Sequence, residues 1–287
     1  MQIVVTGGLG FIGSHTVVEL QNVGYEVIVI DNLSNSSIDV LGGIERITGK
    51  QPIFEQIDLR EKAAVQAFFA KYTEVTGVIH FAASKAVGES VKNPLLYYEN
   101  NIASLVYLLQ ELQKKPEAHF IFSSSCTVYG QAEMMPIAET TPIQAAMSPY
   151  GNTKQIGEEI IADVTKVSGL NAILLRYFNP IGAHPSTEIG ELPIGVPQNL
   201  VPFITQTGMG LRKELSVYGN DYPTVDGTCV RDYIHVVDLA KAHVVALQRL
   251  LDKKNETALE VFNLGTGKGS SVLEVITAFE KVSGQKL

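Results

Sequence analysis

Short apolar runs alternate along this chain with longer segments in which apolar residues return at helical intervals. The short runs predict strands at 2–6, 26–31, 52–55, 76–82, 118–124 and 171–178. The helical intervals predict helices at 12–23, 61–72, 94–114 and 149–167. Alternation of this kind is typical of right-handed crossovers, so we predict an α/β fold with a Rossmann-type doubly wound parallel sheet and helices on both faces. Ligands should then bind at the carboxyl ends of the strands.

A glycine-rich turn joins the first predicted strand to the first predicted helix. Residues 3–5 form the β-branched apolar run of a buried parallel strand, and Gly7, Gly10 and Gly13 follow at spacings of three. The order strand, turn, helix points unpaired N–H groups and the positive end of the helix dipole at an anion. One glycine allows the turn, one admits a pyrophosphate and one lets helix pack on strand. A dinucleotide phosphate site is predicted; a glycine turn without a ligand is the alternative.

Polar residues follow the second and third strands. Asp31 ends the second strand about 20 residues beyond the glycine turn, where an acidic side chain holds ribose hydroxyls. No arginine stands near it to accept a 2′-phosphate, which favours NAD over NADP. The loop from Asn32 to Ser36 suits an adenosine ribose or is a plain polar loop. Asp58 either holds an adenine amino group or caps a helix that starts near Arg60.

The fourth strand runs into Phe81-Ala-Ala-Ser-Lys85, whose alanines are small enough for a cofactor to pass and whose lysine could pair with pyrophosphate. His80, among apolar neighbours, is interpreted as a core histidine with its hydrogen bonds satisfied. The next helix begins with Asn93 as cap and Pro94 as first residue. Its leucines form one apolar stripe for the sheet, and Val106 with Tyr107 suggests a second apolar face, as in a dimer bundle.

The fifth strand ends in Ser123-Ser-Ser-Cys-Thr-Val-Tyr-Gly130, which gathers hydroxyls where chemistry is expected. Cys126 could be a nucleophile, but nothing near it in sequence would activate it, so a small buried apolar role is preferred.

A second reactive pattern begins where Ser148 caps a helix. Tyr150 and Lys154 then share one helix face, about 6 Å apart along the axis. The lysine cation and a positively charged nicotinamide ring would lower the phenol pKa from about 10 toward neutrality. Tyr150 is therefore a candidate general base.

Composition narrows the class of protein. The chain has 287 residues, 45% of them hydrophobic, with a net charge of −8, which suits a large core and two lobes and disfavours nucleic-acid binding. No apolar run has the length of a membrane span, and Met1 leads into a strand without a signal peptide. Two cysteines, Cys126 and Cys229, suit a reducing cytoplasm, and six scattered histidines predict no metal site.

These motifs together resemble the extended short-chain dehydrogenase/reductase superfamily, and within it the family of UDP-glucose 4-epimerases (UDP-galactose 4-epimerases). The broader likeness rests on the glycine turn, the serine-rich strand end and Tyr-x-x-x-Lys. The finer likeness spans nearly the whole chain and rests on Val4-Val-Thr-Gly-Gly, Gly13-Ser-His-Thr, Asp31-Asn-Leu, Lys85-Ala-Val-Gly-Glu-Ser, Arg176-Tyr-Phe-Asn-Pro, Gly182-Ala-His-Pro-Ser, Gly219-Asn-Asp-Tyr-Pro-Thr and Val230-Arg-Asp-Tyr-Ile-His.

The resemblance implies a role for each matching position. Tyr150 would be the base on the sugar 4-hydroxyl, Lys154 would tune it and hold the nicotinamide ribose, and Ser125 would bind the sugar oxygen. The NAD site would be formed by Gly7, Gly10, Phe11, Ile12, Gly13, Asp31, Asn32, Leu33, Ser34, Asn35, Ser36, Asp58, Leu59, Phe81, Ala82, Ala83, Ser84, Lys85, Asn100, Tyr150, Lys154 and Phe178. The UDP-sugar would be held by Lys85, Ser125, Tyr150, Asn179, Asn199, Leu200 and Arg231. Independently of the resemblance, the charge and the forked guanidinium of Arg231 suit a diphosphate. The alternative is that Arg231 forms a surface ion pair with Asp232.

The implied activity is the NAD-dependent interconversion of UDP-glucose and UDP-galactose through a 4-keto sugar, by a cytoplasmic homodimer that acts in galactose metabolism. The implied domains are 1–178 for NAD and a smaller C-terminal lobe, 179–287, for the UDP-sugar, with a segment near 233–250 returning to the first. Family members usually continue beyond the residue at which this chain ends, and that tail adds an arginine and an aspartate to the nucleotide site. We therefore expect near-normal NAD affinity and weaker sugar binding.

Two other functions fit the same motifs. A nucleotide-sugar 4,6-dehydratase shares fold, cofactor and Tyr-x-x-x-Lys, but it needs an acid and a base beside the serine, where this chain has Ser124, Cys126 and Thr127. An NAD-binding sensor or scaffold without turnover is the other, although such relatives commonly lose the Tyr-x-x-x-Lys pair that is kept here.

Overall fold

A seven-stranded parallel sheet forms the centre of the molecule. The structure is a computed structural model that describes residues 1–115, 117–133 and 135–287. Its strands are β1 (Gln2–Thr6), β2 (Glu26–Asp31), β3 (Ile53–Gln56), β4 (Val75–His80), β5 (His119–Ser125), β6 (Asn171–Tyr177) and, later in the chain, β9 (Leu259–Leu264). They are ordered β3-β2-β1-β4-β5-β6-β9, and every neighbouring pair is parallel. The order reverses at β1, so the predicted doubly wound sheet is confirmed.

Helices cover both faces of this sheet. They are α1 (Phe11–Asn22), α2 (Val40–Thr48), α3 (Lys62–Lys71), α4 (Val87–Lys92), α5 (Pro94–Tyr98), α6 (Ser104–Leu112), α7 (Pro149–Val167), α8 (Leu200–Gly208), α9 (Val236–Leu251) and α10 (Val272–Ser283). One apolar core lies between the sheet and α1, α2 and α9, and the other between the sheet and α3, α6 and α7. Alternate residues of each strand enter opposite cores, since neighbouring side chains of a strand point to opposite faces. No helix in the described ranges is long and apolar enough to cross a membrane.

The later part of the chain builds a second, smaller sheet. Its strands are β7 (Asn179–Ile181), β8 (Val230–His235) and β10 (Gly269–Ser271), with β8 in the middle, parallel to β7 and antiparallel to β10. The chain returns to the first sheet between β8 and β10, where α9 packs on α1 and β9 pairs with β6. The division at residue 178, with a returning segment near 233–250, stays a prediction.

The helix predicted at 94–114 is interrupted. It begins at Pro94 and ends at Leu112, with a π-helical turn at Glu99–Ala103 between α5 and α6. The predicted leucine stripe of α6 is buried against the sheet. Tyr107, assigned to a second apolar face, packs instead against the core of its own chain, with the Lys62 ammonium 5.7 Å from its ring centroid. The exposed apolar side chains lie earlier, on α4 and α5.

Candidate active site

The glycine turn has the geometry predicted for close packing. Gly7 adopts φ +65°, a conformation that favours glycine, and its N–H donates to the Ile30 carbonyl at 2.7 Å. A side-chain carbon at Gly13 would lie 2.2 Å from the Gly7 carbonyl oxygen, so the first turn of α1 presses directly on the loop. No side chain caps Gly10 and no acidic residue lies in the first turn of α1. No acidic or capping side chain of the described residues therefore meets the N-terminal N–H groups of α1, at Phe11 and Ile12, where an anionic ligand would be favoured.

Asp31 organises the loop that follows β2. Its buried carboxylate accepts hydrogen bonds from the Leu9 N–H at 3.1 Å, the Leu33 N–H at 3.0 Å and the Ser36 hydroxyl at 2.8 Å. Asp31 thus joins the glycine turn to the 32–36 loop. No arginine or lysine nitrogen of the described residues lies within 4.0 Å of it.

Asp58 does not cap a helix, so that alternative is wrong. It accepts from the Arg60 backbone at 2.9 Å and pairs with the Arg60 guanidinium at 2.7 Å, while α3 starts only at Lys62. Hydrogen bonding from Arg60 lowers the pKa of Asp58 to about 2. Asp58 also accepts from Asn32 at 3.2 Å, which ties the loops after β2 and β3 together beside the buried Leu59.

The loop after β4 is held by a residue that the sequence reasoning missed. Asn101, buried in the π-helical turn, accepts from the Ser84 N–H at 2.8 Å and donates to the Ser84 carbonyl at 3.0 Å and to the Thr153 hydroxyl at 3.0 Å. The neighbouring Asn100, which was predicted, donates to the Ser84 hydroxyl at 3.0 Å. The π-helical turn thus presents two adjacent asparagines to the loop. An asparagine pair in a leucine-rich helix was the available signal.

Other residues named from the sequence lie at the ends of β4 and β6. His80 is buried and hydrogen-bonded to Thr6 at 2.8 Å, so its interpretation as a core residue is confirmed; burial lowers its pKa to about 3. Ala82 lies beside Gly7, where a side-chain carbon would come within 2.8 Å of the Ala82 nitrogen. Phe81 packs near His243, with ring centroids 4.7 Å apart. Phe178, directly after β6, donates its N–H to the Leu264 carbonyl.

The serine-rich end of β5 faces α7, and the two elements bring the predicted catalytic residues together. Ser148 caps α7 by accepting from the Gly151 N–H at 3.1 Å, which starts the helix just before Tyr150. Lys154 is 5% exposed, and its Nζ donates to the Ser123 carbonyl at 2.6 Å. That Nζ lies 5.9 Å from the Tyr150 ring centroid. Ser125 is buried and accepts from the Thr127 N–H at 3.2 Å.

In the polypeptide without a cofactor, burial is the largest cause of the pKa shifts of Tyr150 and Lys154. It raises the pKa of Tyr150 to about 12, an effect that the nearby Ser125 opposes, and it lowers the pKa of Lys154 to about 8. The expected lowering of the Tyr150 pKa toward neutrality is therefore not a property of the polypeptide alone. Desolvation is the largest cause of the Tyr150 shift, and a positively charged nicotinamide ring bound beside the phenol would act against it.

Cys126 lies next to Ser125 in a short 3₁₀ turn, Cys126–Tyr129. Burial raises the pKa of its thiol to about 11, which is the opposite of what an activated nucleophile requires. The preference for an apolar role at Cys126 agrees with this direction. Both Cys126 and Cys229 are free thiols. Within the described ranges, no group of three or more metal-ligating side chains is placed to hold an ion.

A cavity of about 260 Å³ in the smaller lobe collects the other predicted residues. Asn179, Asn199, Leu200 and Arg231 all line it, together with Pro180, Ile181, Gln198, Val201, Pro202, Cys229, Tyr233 and Val272. Asn179 begins β7, two residues beyond the end of β6, so the cavity continues from the carboxyl end of the large sheet. The predicted substrate residues of this lobe are thus brought together.

Arg231 is not paired with Asp232. The Asp232 carboxylate accepts from the backbone N–H groups of Thr266 and Gly267, at 2.9 and 2.8 Å, and from the Thr266 hydroxyl. The Arg231 guanidinium donates to the Val230 carbonyl, and none of the described carboxylates lies within 4.0 Å of it. The exposed cation is therefore available to meet an anionic ligand at the cavity.

Glu191 links the two halves of the site and was not anticipated. It accepts from the Asn199 amide at 3.0 Å and lies 3.7 Å from the Lys85 ammonium. Asn199 thus donates its side-chain amide to Glu191 and also lines the cavity. Glu191 stands in a loop without periodicity, so only the structure could bring it to Lys85.

A glycine turn at a sheet switch point, a Tyr–Lys pair facing a serine-rich strand end, and an adjoining cavity lined by an arginine define a dinucleotide-dependent enzyme of the α/β class. The sequence profile of the NAD dependent epimerase/dehydratase family matches residues 3–265. The chain belongs to that family.

UDP-glucose 4-epimerases are among the proteins of known sequence that are similar to this chain. That of Bacillus subtilis (strain 168) is 53% identical over 288 residues, which cover 100% of this chain and 84% of the relative. UDP-glucose 4-epimerase 2 of Arabidopsis thaliana is 51% identical, with 99% of this chain and 81% of the relative covered.

Solved structures agree on the fold over the whole chain. UDP-glucose-4-epimerase from Stenotrophomonas maltophila, with bound NAD and formylated UDP-arabinopyranose, superposes with a TM-score of 0.94 at 49% identity, covering 100% of this chain and 84% of that one. The enzyme from Bifidobacterium longum, in complex with NAD+ and UDP, has a TM-score of 0.93 at 48% identity, with coverages of 99% and 84%.

Proposed function

We propose that this protein is an NAD-dependent UDP-glucose 4-epimerase, which interconverts UDP-glucose and UDP-galactose through a 4-keto sugar. The observation that carries the proposal is that Tyr150 and Lys154 of α7 meet the serine-rich end of β5, in a chain that also has a dinucleotide-type glycine turn and the Arg231 cavity. Relatives named for this activity are about half identical to the chain, over nearly all of it.

NAD fits the residues at the carboxyl edge of the sheet. The first turn of α1 offers N–H groups and a dipole end to a pyrophosphate, and Gly7 and Gly13 leave no side chain in the way. Asp31 and the loop that it organises would hold the adenosine ribose, and Asn32 with Asp58 and Leu59 the adenine. The loop from Phe81 to Lys85, Asn100, Lys154 and Phe178 would hold the nicotinamide half.

Lys85 is proposed to contact the phosphates as well as the substrate. Its ammonium is half-exposed and only loosely paired with Glu191, so a diphosphate can compete for it. Arg231 and the amides of Asn179 and Asn199 would bind the UDP-sugar in the cavity beyond, beside Leu200. In this arrangement the NAD pyrophosphate lies at the large sheet and the UDP-sugar diphosphate lies in the cavity of the smaller lobe.

Bound NAD would supply the hydride acceptor and, in the return step, the hydride donor at the sugar C4. Tyr150 takes the proton of the sugar 4-hydroxyl and later gives it back, so it acts as base and then as acid. Ser125 holds the same oxygen through its hydroxyl. Lys154 stabilises the tyrosinate, and turning of the keto sugar within the cavity exposes its other face before the proton returns.

Incubation of the purified protein with UDP-galactose tests the proposal. UDP-glucose as product, without added NAD, is the expected result. A keto-deoxy sugar would indicate a 4,6-dehydratase instead, and no product together with bound NAD would indicate a sensor or scaffold. The Glu158 carboxylate, which reaches the serine-rich strand end, is committed to Arg176 and is therefore not available as a free acid for dehydration.

A homodimer is proposed from the exposed apolar residues of α4 and α5. Val91 is 62% and Leu95 80% exposed, and both helices pack along α7. Two copies joined through helices 94–114 and 149–167 would bury this patch in a four-helix bundle. We also propose a cytoplasmic location, since both cysteines are free thiols.

A further inference from the structure

A buried ion pair lies one helical turn beyond Lys154. Glu158, on α7, and Arg176, on β6, are each 6% exposed. The Arg176 guanidinium forms a bidentate pair with the Glu158 carboxylate, with hydrogen bonds of 2.9 and 2.5 Å. The proposed mechanism uses neither residue. A buried pair is weak evidence for stability, because desolvation of two charges offsets much of their attraction.

The pair is connected to the catalytic strand end on one side. The Ser124 hydroxyl donates to Glu158 at 2.5 Å, and Ser124 is the register partner of Arg176 across β5 and β6. The preceding residue, Ser123, accepts from Lys154 through its carbonyl. Two successive serines of β5 are therefore hydrogen-bonded to α7, Ser123 to Lys154 and Ser124 to Glu158. Lys154 and Glu158 are four residues apart on that helix.

The pair is braced on the other side too. Arg176 donates to the Tyr129 hydroxyl at 3.0 Å, and Tyr129 donates to Asn263 at 2.7 Å. Glu158 thus cannot swing away from its position without breaking contacts to two strands. A carboxylate held in this way is a fixed negative charge on the same helix face as Lys154.

We propose that Glu158 is a positioning residue for Lys154: locked between Ser124 and Arg176, it keeps the lysine ammonium charged and in place beside Tyr150. The inference rests on the proposed function, because it assigns Lys154 its role there. It explains how a lysine that is only 5% exposed can remain a cation at neutral pH.

The electrostatics of the site agree. Burial lowers the pKa of Lys154, and the Glu158 carboxylate is the charge that raises it again. The other titratable or charged groups that face this region come from α5, α7, β4, β6 and the 3₁₀ turn: Tyr97, Tyr150, His80, Arg176, Tyr177, Cys126 and Tyr129. Desolvation favours the neutral forms of His80, Tyr150, Tyr177 and Cys126, so Glu158 is the anion of this group, with Arg176 as its cationic partner.

The test distinguishes the effect of the Glu158 charge on Lys154 from the contribution of the Glu158–Arg176 pair to stability, by breaking the pair in two ways. Glu158→Gln leaves Arg176 as an unpaired buried cation, which should lower the urea midpoint of unfolding. Glu158→Gln with Arg176→Met removes both charges, so the midpoint should recover. Glu158→Asp keeps the charge, and Glu260→Gln breaks the equally bidentate Arg249–Glu260 pair, far from the serines, as a matched control.

The readout is the titration of Lys154 itself, by NMR of protein labelled with ¹³C at lysine Cε and assigned with Lys154→Met. We expect its midpoint to fall by about one pH unit in Glu158→Gln, and by less in the double variant, because loss of the Arg176 cation opposes the loss of the carboxylate. It should stay near wild type in Glu158→Asp and Glu260→Gln. The alkaline limb of kcat for UDP-galactose should move to lower pH by the same amount, with little change in KM.

Recovery of the Lys154 midpoint together with stability in the double variant would overturn the inference and leave the pair a purely structural role. An unchanged midpoint in Glu158→Gln would overturn it as well. A wild-type protein that binds NAD but does not epimerise would instead refute the proposed function, and the NMR titration would still decide what Glu158 does to Lys154.

Discussion

Tyr150 and Lys154 show how burial sets the conditions for catalysis at single residues. In the chain alone, desolvation favours the neutral form of both, since the pKa of Tyr150 rises to about 12 and that of Lys154 falls to about 8. The reactive state needs the reverse, a tyrosinate beside an ammonium. A bound nicotinamide cation would favour the tyrosinate, and the Glu158 carboxylate is proposed to favour the ammonium.

Tyr150→Phe should lower kcat by about 10²- to 10⁴-fold, because the ring stays and only the ionisable oxygen is lost. NAD content, measured in the supernatant after denaturation, should equal that of wild type, since the phenol oxygen is not needed to hold the dinucleotide. Tyr129→Phe is a poor control, as its hydroxyl binds Arg176; the exposed Tyr218→Phe serves better. A wild-type rate in Tyr150→Phe would remove the tyrosine from its role as base.

Lys154→Met should move the acid limb of the kcat profile to higher pH. The lysine cation favours the tyrosinate, so its removal raises the Tyr150 pKa, and the base is then deprotonated only at higher pH. Activity lost at pH 7 should partly return at alkaline pH. A profile that is lower at every pH but not displaced would mean that Lys154 acts through binding of the ribose alone.

Single residues also explain which parts of the site sequence reasoning could find. Tyr150, Lys154, Asp31 and Gly7 belong to patterns whose spacing has a physical reason. Asn101 and Glu191 have no such spacing, because each acts on a loop distant in sequence, at Ser84 and at Lys85. Their partners are set by the π-helical turn and by the fold of the second lobe, neither of which periodicity reveals.

Among the elements, the first six strands and the helical regions at 12–23, 61–72, 94–114 and 149–167 follow from the sequence, because short apolar runs or apolar residues at helical intervals mark them. β9 does not, since Glu260 and Asn263 break its apolar run; Glu260 pairs with Arg249. α2 carries two adjacent glycines, which lower helix propensity. Gly43 is nevertheless required, because a side-chain carbon there would lie 2.7 Å from the Glu188 carbonyl oxygen. Contacts between distant segments override the local signal.

The junction of β1 with α1 gives a prediction for an element. Gly13→Ala would place a carbon 2.2 Å from the Gly7 oxygen and 2.9 Å from the Gly8 Cα, both backbone atoms that cannot give way cheaply. The turn must widen, so the free energy of unfolding should fall by about 1–3 kcal/mol. Bound NAD, assayed after denaturation, should fall sharply.

Gly88→Ala is the matched control, because its new carbon would meet nothing within 4 Å on the helix α4. NAD content there should equal that of wild type, and stability should be the same or slightly higher. Full NAD occupancy in Gly13→Ala would show that the first turn of α1 does not hold the pyrophosphate.

The whole molecule places its two ligand regions on one edge. α9 and β9 carry the chain back to the large sheet between β8 and β10, so the small sheet is anchored at both ends. Glu191 and Lys85 then meet across the junction. A UDP-sugar in the proposed cavity would therefore lie near a residue, Glu191, that is already within 3.7 Å of the Lys85 ammonium on the loop after β4.

Assembly of two such molecules is the remaining expectation for the whole protein. Leu95, 80% exposed on α5, would be buried by a partner, where an aliphatic side chain contributes about 1.5–3 kcal/mol. Leu95→Glu replaces it with a charge that two copies would bring together, so sedimentation velocity at micromolar concentration should show monomers, against dimers for wild type. Leu211→Glu, at a site 76% exposed beyond α8, should remain dimeric.

Each Tyr150 lies with the Lys154 and Ser125 of its own chain, so monomers should keep NAD and measurable turnover. A wild-type protein that sediments only as a monomer would contradict the bundle, and a Leu95→Glu protein that stays dimeric would move the interface to another surface.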